Sequence, residues 1–194
     1  MFENLQKYRV VLASNSPRRK ELLGNLGIPF DVRTLPGIDE SYPPGLSGEM
    51  VAMHIVSKKA AAYQATMAPD ELVITADTIV CVDEQVLGKP ADADEARTML
   101  RLLSGRQHHV VTAVGITKAE RTHTFAVTTE VNFACLSDEV IDHYIDVYRP
   151  YDKAGAYGIQ EWIGHVGVTS INGSFFNVMG LPVQRLFQEL IKIN

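Results

Sequence analysis

Three cations stand at the start of the first clearly patterned helix of this sequence. In the stretch "SNSPRRKELL", Ser16 is a suitable N-cap and Pro17 suits the first helical position. The next three residues, Arg18, Arg19 and Lys20, then fall in the first turn. Because a helix N-terminus is already positive, each cation there costs about 0.3–1 kcal/mol unless an anion is near. Free N–H groups and guanidinium groups together would bind a polyphosphate; the alternative is that the cations point into solvent at little cost.

A carboxylate inside an apolar run is the second feature that could do chemistry. The run "ELVITADTIVCV" predicts a central strand that is interrupted at Asp77, and Thr78 adds a hydroxyl beside it. Burying an unpaired charge is expensive, so such an aspartate is paired, bound to a metal, or placed at a strand break. A purely structural aspartate at a bulge is the alternative.

Further polar side chains lie in fragments rich in turn-forming residues. These fragments are "GIDES" with Asp39 and Glu40, "GKP" with Lys89, and "YDKAGAYGIQ" with Asp152, Lys153 and Gln160. Each fragment alone is equally compatible with a simple turn. The sequence has no GxxxxGK[ST] motif, so side chains would have to hold a phosphate chain. The six histidines lack metal-ligand spacing, and carboxylates would therefore hold any metal, which favours Mg²⁺ or Mn²⁺ over zinc.

The elements that must position these side chains follow from the hydrophobic pattern. "RVVLAS" predicts a buried strand before the cationic helix, and Ser47 is expected to cap a helix that runs to about Tyr63. "HHVVTAVGIT" and "THTFAVTTEVNFA" predict two strands, and further helices are expected after Ser137 and at the C-terminus. Strands and helices mix without strict βαβ alternation, which predicts a mixed sheet in an α/β or α+β fold.

Composition sets the limits of the interpretation. The 194 residues, 46% of them hydrophobic and 21% charged, fit one ordinary soluble domain over residues 1–194. A net charge of -5 argues against general adhesion to nucleic acid or to anionic membrane, so any anion site must be local. Cys81 and Cys135 lie in apolar runs, and we expect two buried thiols in a reducing compartment. The polar opening "MFENLQKY" and the lack of a membrane-length apolar run predict a cytoplasmic protein.

Five fragments taken together resemble the Maf family of nucleoside triphosphate pyrophosphatases. They are "SNSPRR", "ADTIV", "GKP", "YDKAGAYGIQ" and "INGSFFNVMGLP", in that order, and the resemblance extends from about Val10 to Leu190. The resemblance implies a mixed α/β fold related to the house-cleaning inosine triphosphatases, with two lobes around a deep cleft. It also implies hydrolysis of a nucleoside triphosphate to monophosphate and pyrophosphate with a divalent cation, Mg²⁺ or Mn²⁺. Because the family often forms homodimers, the resemblance allows a homodimer here.

The resemblance also implies roles for individual residues. Asp77 matches the proton acceptor, and Glu40 matches an acidic position near the metal, which Asp77 would share. The residues that match phosphate-binding and cleft positions are Ser14, Arg18, Arg19, Lys59, Lys89 and Lys153. Lys59 is the less secure of these because Lys58 adjoins it.

Substrate choice is implied by three positions. Thr78 and Gln160, together with Arg18, match positions that mark the branch of the family acting on dTTP and UTP. The chain departs from the usual pattern at Asn15 and at Glu161–Trp162, and neither departure is expected to affect the chemistry.

The sequence therefore predicts a pyrophosphatase for dTTP, UTP and base-modified pyrimidine triphosphates. Its partner would be a small-molecule nucleotide, with no nucleic acid and no membrane. One rival is a non-enzymatic nucleotide-binding regulator, since the family was first linked to inhibition of septum formation. A weaker rival, a protein that binds structured RNA, is opposed by the net charge of -5 and the lack of a long basic patch.

Overall fold

A computed structural model of the protein describes residues 2–193. The strands are β1 (Arg9–Leu12), β2 (Asp31–Val32), β3 (Glu71–Val82), β4 (Gln85–Leu87), β5 (Gln107–Thr117), β6 (Thr122–Phe133) and β7 (Val168–Asn172). The helices are α1 (Pro17–Gly24), α2 (Glu49–Gln64), α3 (Ala93–Leu103), α4 (Asp138–Tyr148), α5 (Trp162–Gly167), α6 (Phe175–Met179) and α7 (Val183–Leu190). None of the helices in this range is long and apolar enough to cross a lipid bilayer.

The strands form one mixed sheet of seven strands with flanking helices. Six of them follow the order β2-β1-β3-β5-β6-β7, and β4 pairs with β3. Strand β1 is parallel to both β2 and β3, whereas β4 is antiparallel to β3 and β7 is antiparallel to β6. The predicted mixed α/β fold is confirmed.

The chain divides into two compact units. The first unit contains the chain up to Asp77, the segment Thr112–Val127 and the chain from Gly180 onward. The second unit contains Thr78–Val111 and Thr128–Met179. Among the residues predicted for function, the first unit holds Ser14, Arg18, Arg19, Glu40, Lys59 and Asp77, and the second holds Thr78, Lys89, Lys153 and Gln160. The single domain over residues 1–194 stays a prediction.

In the first unit, apolar strands and one face of α2 supply the core. Val11 of β1, Val73 of β3 and Tyr63 of α2 form one buried cluster. A carboxylate anchors the edge of this core: Glu71, at 1% exposure, accepts two hydrogen bonds from Arg33 at 2.9 and 2.8 Å. Arg9 pairs with the same carboxylate at 2.9 Å. Such a paired, hydrogen-bonded ion is stable in a low-dielectric position, where a lone charge would not be.

In the second unit, helices α3 and α4 pack on a shared apolar core. Their caps match the pattern, since Asp92 accepts a hydrogen bond from the Glu95 amide at 2.9 Å and Ser137 accepts one from the Val140 amide at 3.4 Å. The buried positions are Ala96, Met99, Leu100 and Leu103 of α3 and Ile141, Tyr144 and Ile145 of α4. These positions recur every three or four residues, which makes each helix amphipathic.

Three local predictions are wrong. Strand β3 runs without a break through Asp77, because an ion pair to Lys59 stabilises the carboxylate where it lies. Helix α2 is capped by Gly48 and not by the Ser47 side chain, since the cap residue has a φ of +48°, which suits glycine. Cys81 is buried as expected, but Cys135 is exposed because it lies beyond the end of β6.

Candidate active site

Asp77 lies in the first unit beside a lysine and a second carboxylate. The Nζ atom of Lys59 is 2.7 Å from Asp77 Oδ1 and 3.0 Å from Glu40 Oε1. Strand β3 supplies the aspartate, α2 supplies the lysine, and the long connection between β2 and α2 supplies the glutamate. The Asp77 side chain is only 13% exposed, so the ion pair offsets much of the cost of its burial.

The neighbouring lysine has a different partner. Lys58 Nζ lies 2.5 Å from Asp39 Oδ2. Asp39 also accepts hydrogen bonds from the amide and the hydroxyl of Ser41, at 2.9 and 2.8 Å. The hydrogen bonds from Lys58 and Ser41 hold the pKa of Asp39 well below its usual range. Of the two adjacent lysines, Lys59 is therefore the one that contacts Asp77.

Glu40 and Asp77 are a suitable oxygen pair for a divalent cation. Both carboxylates converge on one cationic atom, the Nζ of Lys59. Within residues 2–193, no three or more histidine, cysteine, aspartate or glutamate side chains are grouped to hold a metal ion. A Mg²⁺ site commonly uses one or two carboxylates and takes further ligands from substrate phosphates and water. These two residues thus fit a metal that arrives with a phosphate chain.

The start of α1 is organised around Ser14 and Arg19. Ser16 caps the helix by accepting a hydrogen bond from the Arg19 amide at 3.4 Å. The buried Ser14 hydroxyl accepts hydrogen bonds from the Ser16 amide at 3.2 Å and from an Arg19 guanidinium nitrogen at 3.5 Å. Arg19 Nε donates to the Gly180 carbonyl at 2.8 Å. The guanidinium of Arg19 is therefore held in place, whereas Arg18 is half-buried one residue earlier.

The charges of these two groups interact within the first unit. Burial lowers the pKa of Arg19, the carboxylates of Asp77 and Glu40 raise it, and the adjacent Arg18 lowers it. The predicted phosphate-binding arginine and the predicted catalytic carboxylate thus lie within electrostatic reach of each other. This arrangement combines a proton acceptor with fixed cations, as phosphoanhydride chemistry requires.

In the second unit, Lys153 is held by two carboxylates. Its Nζ is 2.7 Å from Asp152 Oδ1 and 3.1 Å from Glu161 Oε1, and its side chain is only 8% exposed. Glu161 also accepts a hydrogen bond from the hydroxyl of Tyr144. The sequence analysis placed Glu161 outside the chemistry, yet it contacts a predicted substrate lysine. The only signal in the sequence was an acidic residue directly after the glycine-rich "YDKAGAYGIQ".

The loops that carry Lys89 and Lys153 are joined by a backbone hydrogen bond. The Gly155 amide donates to the Gly88 carbonyl at 3.0 Å. Gly155 has a φ of +65°, and a Cβ there would lie 2.9 Å from a methyl group of Val80. Only glycine therefore fits both the conformation and the close approach. The fragments "GKP" and "DKAG" are brought together in this way, and the Lys89 side chain is exposed beside that contact.

Gln160 offers a buried acceptor. Its side chain is half-buried, and Oε1 has no hydrogen-bond partner among the residues that the structure describes. A buried polar atom without a partner costs about 1–3 kcal/mol, which a ligand that donates a hydrogen bond would recover. Thr78, the other predicted specificity residue of the second unit, is also half-buried.

The sequence of residues 9–193 matches the family described as Maf-like protein. The chain belongs to the Maf family. It is 61% identical over 193 residues to a protein named dTTP/UTP pyrophosphatase from Phocaeicola vulgatus, with full coverage of both chains. It is 54% identical over 193 residues to a protein of the same name from Bacteroides thetaiotaomicron, again with full coverage of both. The resemblance drawn from the five fragments is confirmed.

A solved structure with a similar fold is the nucleoside-triphosphatase, or dITP/XTP pyrophosphatase, from Mycobacterium abscessus. The match has a TM-score of 0.42 and 16% sequence identity, and it covers 66% of this chain and 75% of that one.

The last fragment of the Maf resemblance, "INGSFFNVMGLP", has a structural role in the second unit. Asn177 Nδ2 donates to the Val110 carbonyl at 3.1 Å and to Thr129 Oγ1 at 3.0 Å. The Ser174 amide donates to the same Thr129 hydroxyl at 3.1 Å. Gly173, with a φ of +130°, leaves room for that hydroxyl, which a Cβ would approach to 2.8 Å. This fragment therefore ties α6 to β5 and β6.

Proposed function

We propose that this protein is a nucleoside triphosphate pyrophosphatase that hydrolyses dTTP and UTP, and base-modified pyrimidine triphosphates, to monophosphate and pyrophosphate. The observation that carries the proposal is the Asp77–Lys59–Glu40 group, with Arg19 in electrostatic reach, in a Maf chain. The name dTTP/UTP pyrophosphatase borne by relatives with 54–61% identity supports the choice of substrate.

Asp77 is the proton acceptor in the proposed reaction. Its carboxylate takes a proton from the water that attacks the α-phosphorus. The bond between the α-phosphorus and the bridging oxygen breaks, and pyrophosphate leaves with that oxygen and the bonding electrons. Lys59 orients the carboxylate through the 2.7 Å contact to Oδ1. A positioned general base contributes about 10²–10⁴-fold to such a step.

Glu40 and Asp77 are the residues that would hold a divalent cation, Mg²⁺ or Mn²⁺. Bound there, such an ion neutralises phosphate charge and makes a water molecule more acidic. Lys59, already shared by the two carboxylates, keeps their oxygens close together before substrate binds.

The phosphate chain is bound by cations and by the start of α1. Ser14, Arg18 and Arg19 bind it through the hydroxyl, the guanidinium groups and the helix N-terminus. Lys89 and Lys153 add two ammonium groups. A triphosphate carries about four negative charges, which is why cations are concentrated locally in a chain whose net charge is -5.

Gln160 reads the pyrimidine edge in this proposal, with Thr78 and Arg18 as further specificity residues. A uracil or thymine ring presents an N3–H donor between two carbonyl acceptors. The buried Oε1 of Gln160 can accept from N3–H while Nε2 donates to a carbonyl. Cytosine has the donor and acceptor reversed at two of these positions, which would leave a buried group unpaired.

The deciding experiment measures pyrophosphate release from a panel of nucleoside triphosphates with Mg²⁺ or Mn²⁺. We expect dTTP and UTP to be preferred over dCTP, CTP and the purine triphosphates by roughly tenfold or more. Nucleotide binding without pyrophosphate release from any member of the panel would instead favour the non-enzymatic regulator. The proposal includes action in the cytoplasm on free nucleotides, without nucleic acid or membrane.

A further inference from the structure

One tyrosine of the second unit holds the turn that carries Gln160. Tyr144 lies in α4 and is completely buried. Its hydroxyl donates to Glu161 Oε2 and accepts a hydrogen bond from the Gly158 amide at 3.0 Å. A phenol has one proton to donate, so these two contacts have the complementary directions that the group allows.

The carboxylate of Glu161 links that tyrosine to Lys153. While Oε2 accepts from Tyr144, Oε1 lies 3.1 Å from Lys153 Nζ. Burial, followed by the hydrogen bond and the charge of Glu161, raises the pKa of Tyr144 above its usual value. The phenol is therefore a donor throughout the physiological pH range.

Gln160 lies inside a turn whose two ends belong to this network. The Glu161 amide donates to the Gly158 carbonyl at 2.9 Å, which closes the turn around Ile159 and Gln160. A Cβ on Gly158 would lie 3.0 Å from Gln160 Nε2 and 2.9 Å from Glu161 Cδ. The Gly158 backbone is thus the surface against which the Gln160 amide packs, and Tyr144 determines where that backbone lies.

We propose that Tyr144 and Glu161 are positioning residues for base recognition, which hold the Gly158–Glu161 turn so that Gln160 meets the pyrimidine edge. The inference rests on the proposed function of this Maf protein. It adds that the ammonium of Lys153 is positioned by the same carboxylate, so the base-reading amide and a phosphate-binding cation share one support.

The test compares two tyrosine variants of the same helix. Tyr148 stacks on Tyr144 with ring centroids 5.1 Å apart and is exposed at 36%, so Tyr148→Phe removes the same atom from an exposed neighbour. The values of kcat and KM are measured with UTP and with CTP for wild type, Tyr144→Phe and Tyr148→Phe. Melting temperatures of all three proteins show whether each is folded.

We expect Tyr144→Phe to lower the ratio of kcat/KM for UTP to that for CTP by about 3–10-fold, as for one lost hydrogen bond. The loss should appear mainly as a higher KM for UTP, since Asp77 and its partners are unchanged. Tyr148→Phe should keep the wild-type ratio. A role in stability alone would lower the melting temperature of Tyr144→Phe and leave the ratio at its wild-type value.

Variants of Glu161 provide a second route if Tyr144→Phe does not fold. Glu161→Gln keeps an oxygen that accepts from Tyr144, whereas Glu161→Ala removes it. We expect Glu161→Ala to lose the UTP preference and Glu161→Gln to retain more of it. Equal ratios in the two folded variants, or a wild-type ratio in folded Tyr144→Phe, would overturn the inference and leave the proposed function intact.

The wild-type protein separates the inference from the function on which it rests. Equal use of UTP and CTP by wild type would overturn base reading by Gln160, and the inference with it, but not the pyrophosphatase activity. A wild-type protein that releases no pyrophosphate from any nucleotide would overturn both.

Discussion

Each of the two proposed chemical roles depends on one side chain and its immediate partners. Asp77 is placed for proton transfer by Lys59, at 2.7 Å, and Gln160 is placed for base reading by the turn that Gly158 and Glu161 close. Conservative substitutions can therefore separate chemistry from specificity, because the two residues lie on different elements and share no contact partner in these groups.

Asp77→Asn should abolish most of the turnover while the fold and nucleotide binding persist. The amide is nearly the same size but is a poor proton acceptor, so kcat should fall by about 10²–10⁴-fold. Pyrophosphate release and equilibrium binding of UTP would be measured side by side. Near-normal turnover in a folded variant would remove Asp77 from the mechanism.

Gln160→Glu should weaken the preference for UTP and dTTP over CTP. The substitution removes the amide donors and adds a charge, whereas the Asp77 group of the first unit is untouched. The ratio of kcat/KM for UTP to that for CTP should fall about tenfold or more, with activity retained on at least one nucleotide. Hydrolysis of GTP or ATP by wild type as fast as UTP would show that Gln160 does not read the base.

At the scale of elements, helix α1 is unusual because its N-terminal charges oppose its own dipole. Other helices of the chain have the favourable polarity: Asp94 and Glu95 lie in the first turn of α3, and Asp138 and Glu139 lie in the first turn of α4. In α1 the first turn has no acidic residue, and Arg18 lowers the pKa of its neighbour Arg19. The arrangement is unfavourable without an anion, which is the physical reason to assign α1 to phosphate binding.

Arg18→Ala should therefore weaken triphosphate binding without lowering the stability of the ligand-free protein. Removing the arginine relieves repulsion from Arg19 and from the helix N-terminus, and alanine favours the helix. Melting temperatures without nucleotide and KM for UTP would be measured for wild type and variant. A clear fall in the melting temperature without nucleotide would show that Arg18 is a structural ion-pair partner.

For the whole molecule, stability towards acid should depend on one buried histidine of the second unit. His108, at 1% exposure, lies 2.8 Å from the Tyr157 hydroxyl through Nε2 and makes edge contacts with the rings of Phe133 and Tyr157. Burial lowers the pKa of His108 from 6.5 to about 4. The unfolded chain therefore binds a proton at a higher pH than the folded chain does.

This difference gives a pH dependence with a definite sign. The stabilisation due to neutral His108 is complete above about pH 6.5 and is lost as the pH falls towards 4, by at most about 3 kcal/mol. The free energy of unfolding measured between pH 7.5 and 4.5 should fall more steeply for wild type than for His108→Gln, which has no ring to titrate. The same slope in both proteins would contradict the assignment to His108.

The sequence by itself determined the features that depend on nearby residues. Caps at Ser16, Asp92 and Ser137 were readable because each bonds an amide three residues later. The strand period of β6 was readable in the same way, since its inward positions alternate. The five ordered fragments were specific enough to predict the family, with Asp77 and Gln160 among its residues.

Only the tertiary structure decided which distant side chains meet. Nothing in the local pattern chose Lys59 over Lys58 as the partner of Asp77, because that choice depends on how α2 is rotated against β3. The pairing of Glu161 with Tyr144 was equally invisible, since α4 and a glycine-rich turn must first pack together. Hydrogen bonds and ion pairs act over about 3–4 Å, so residues far apart in the chain make them only after the whole core has fixed their positions.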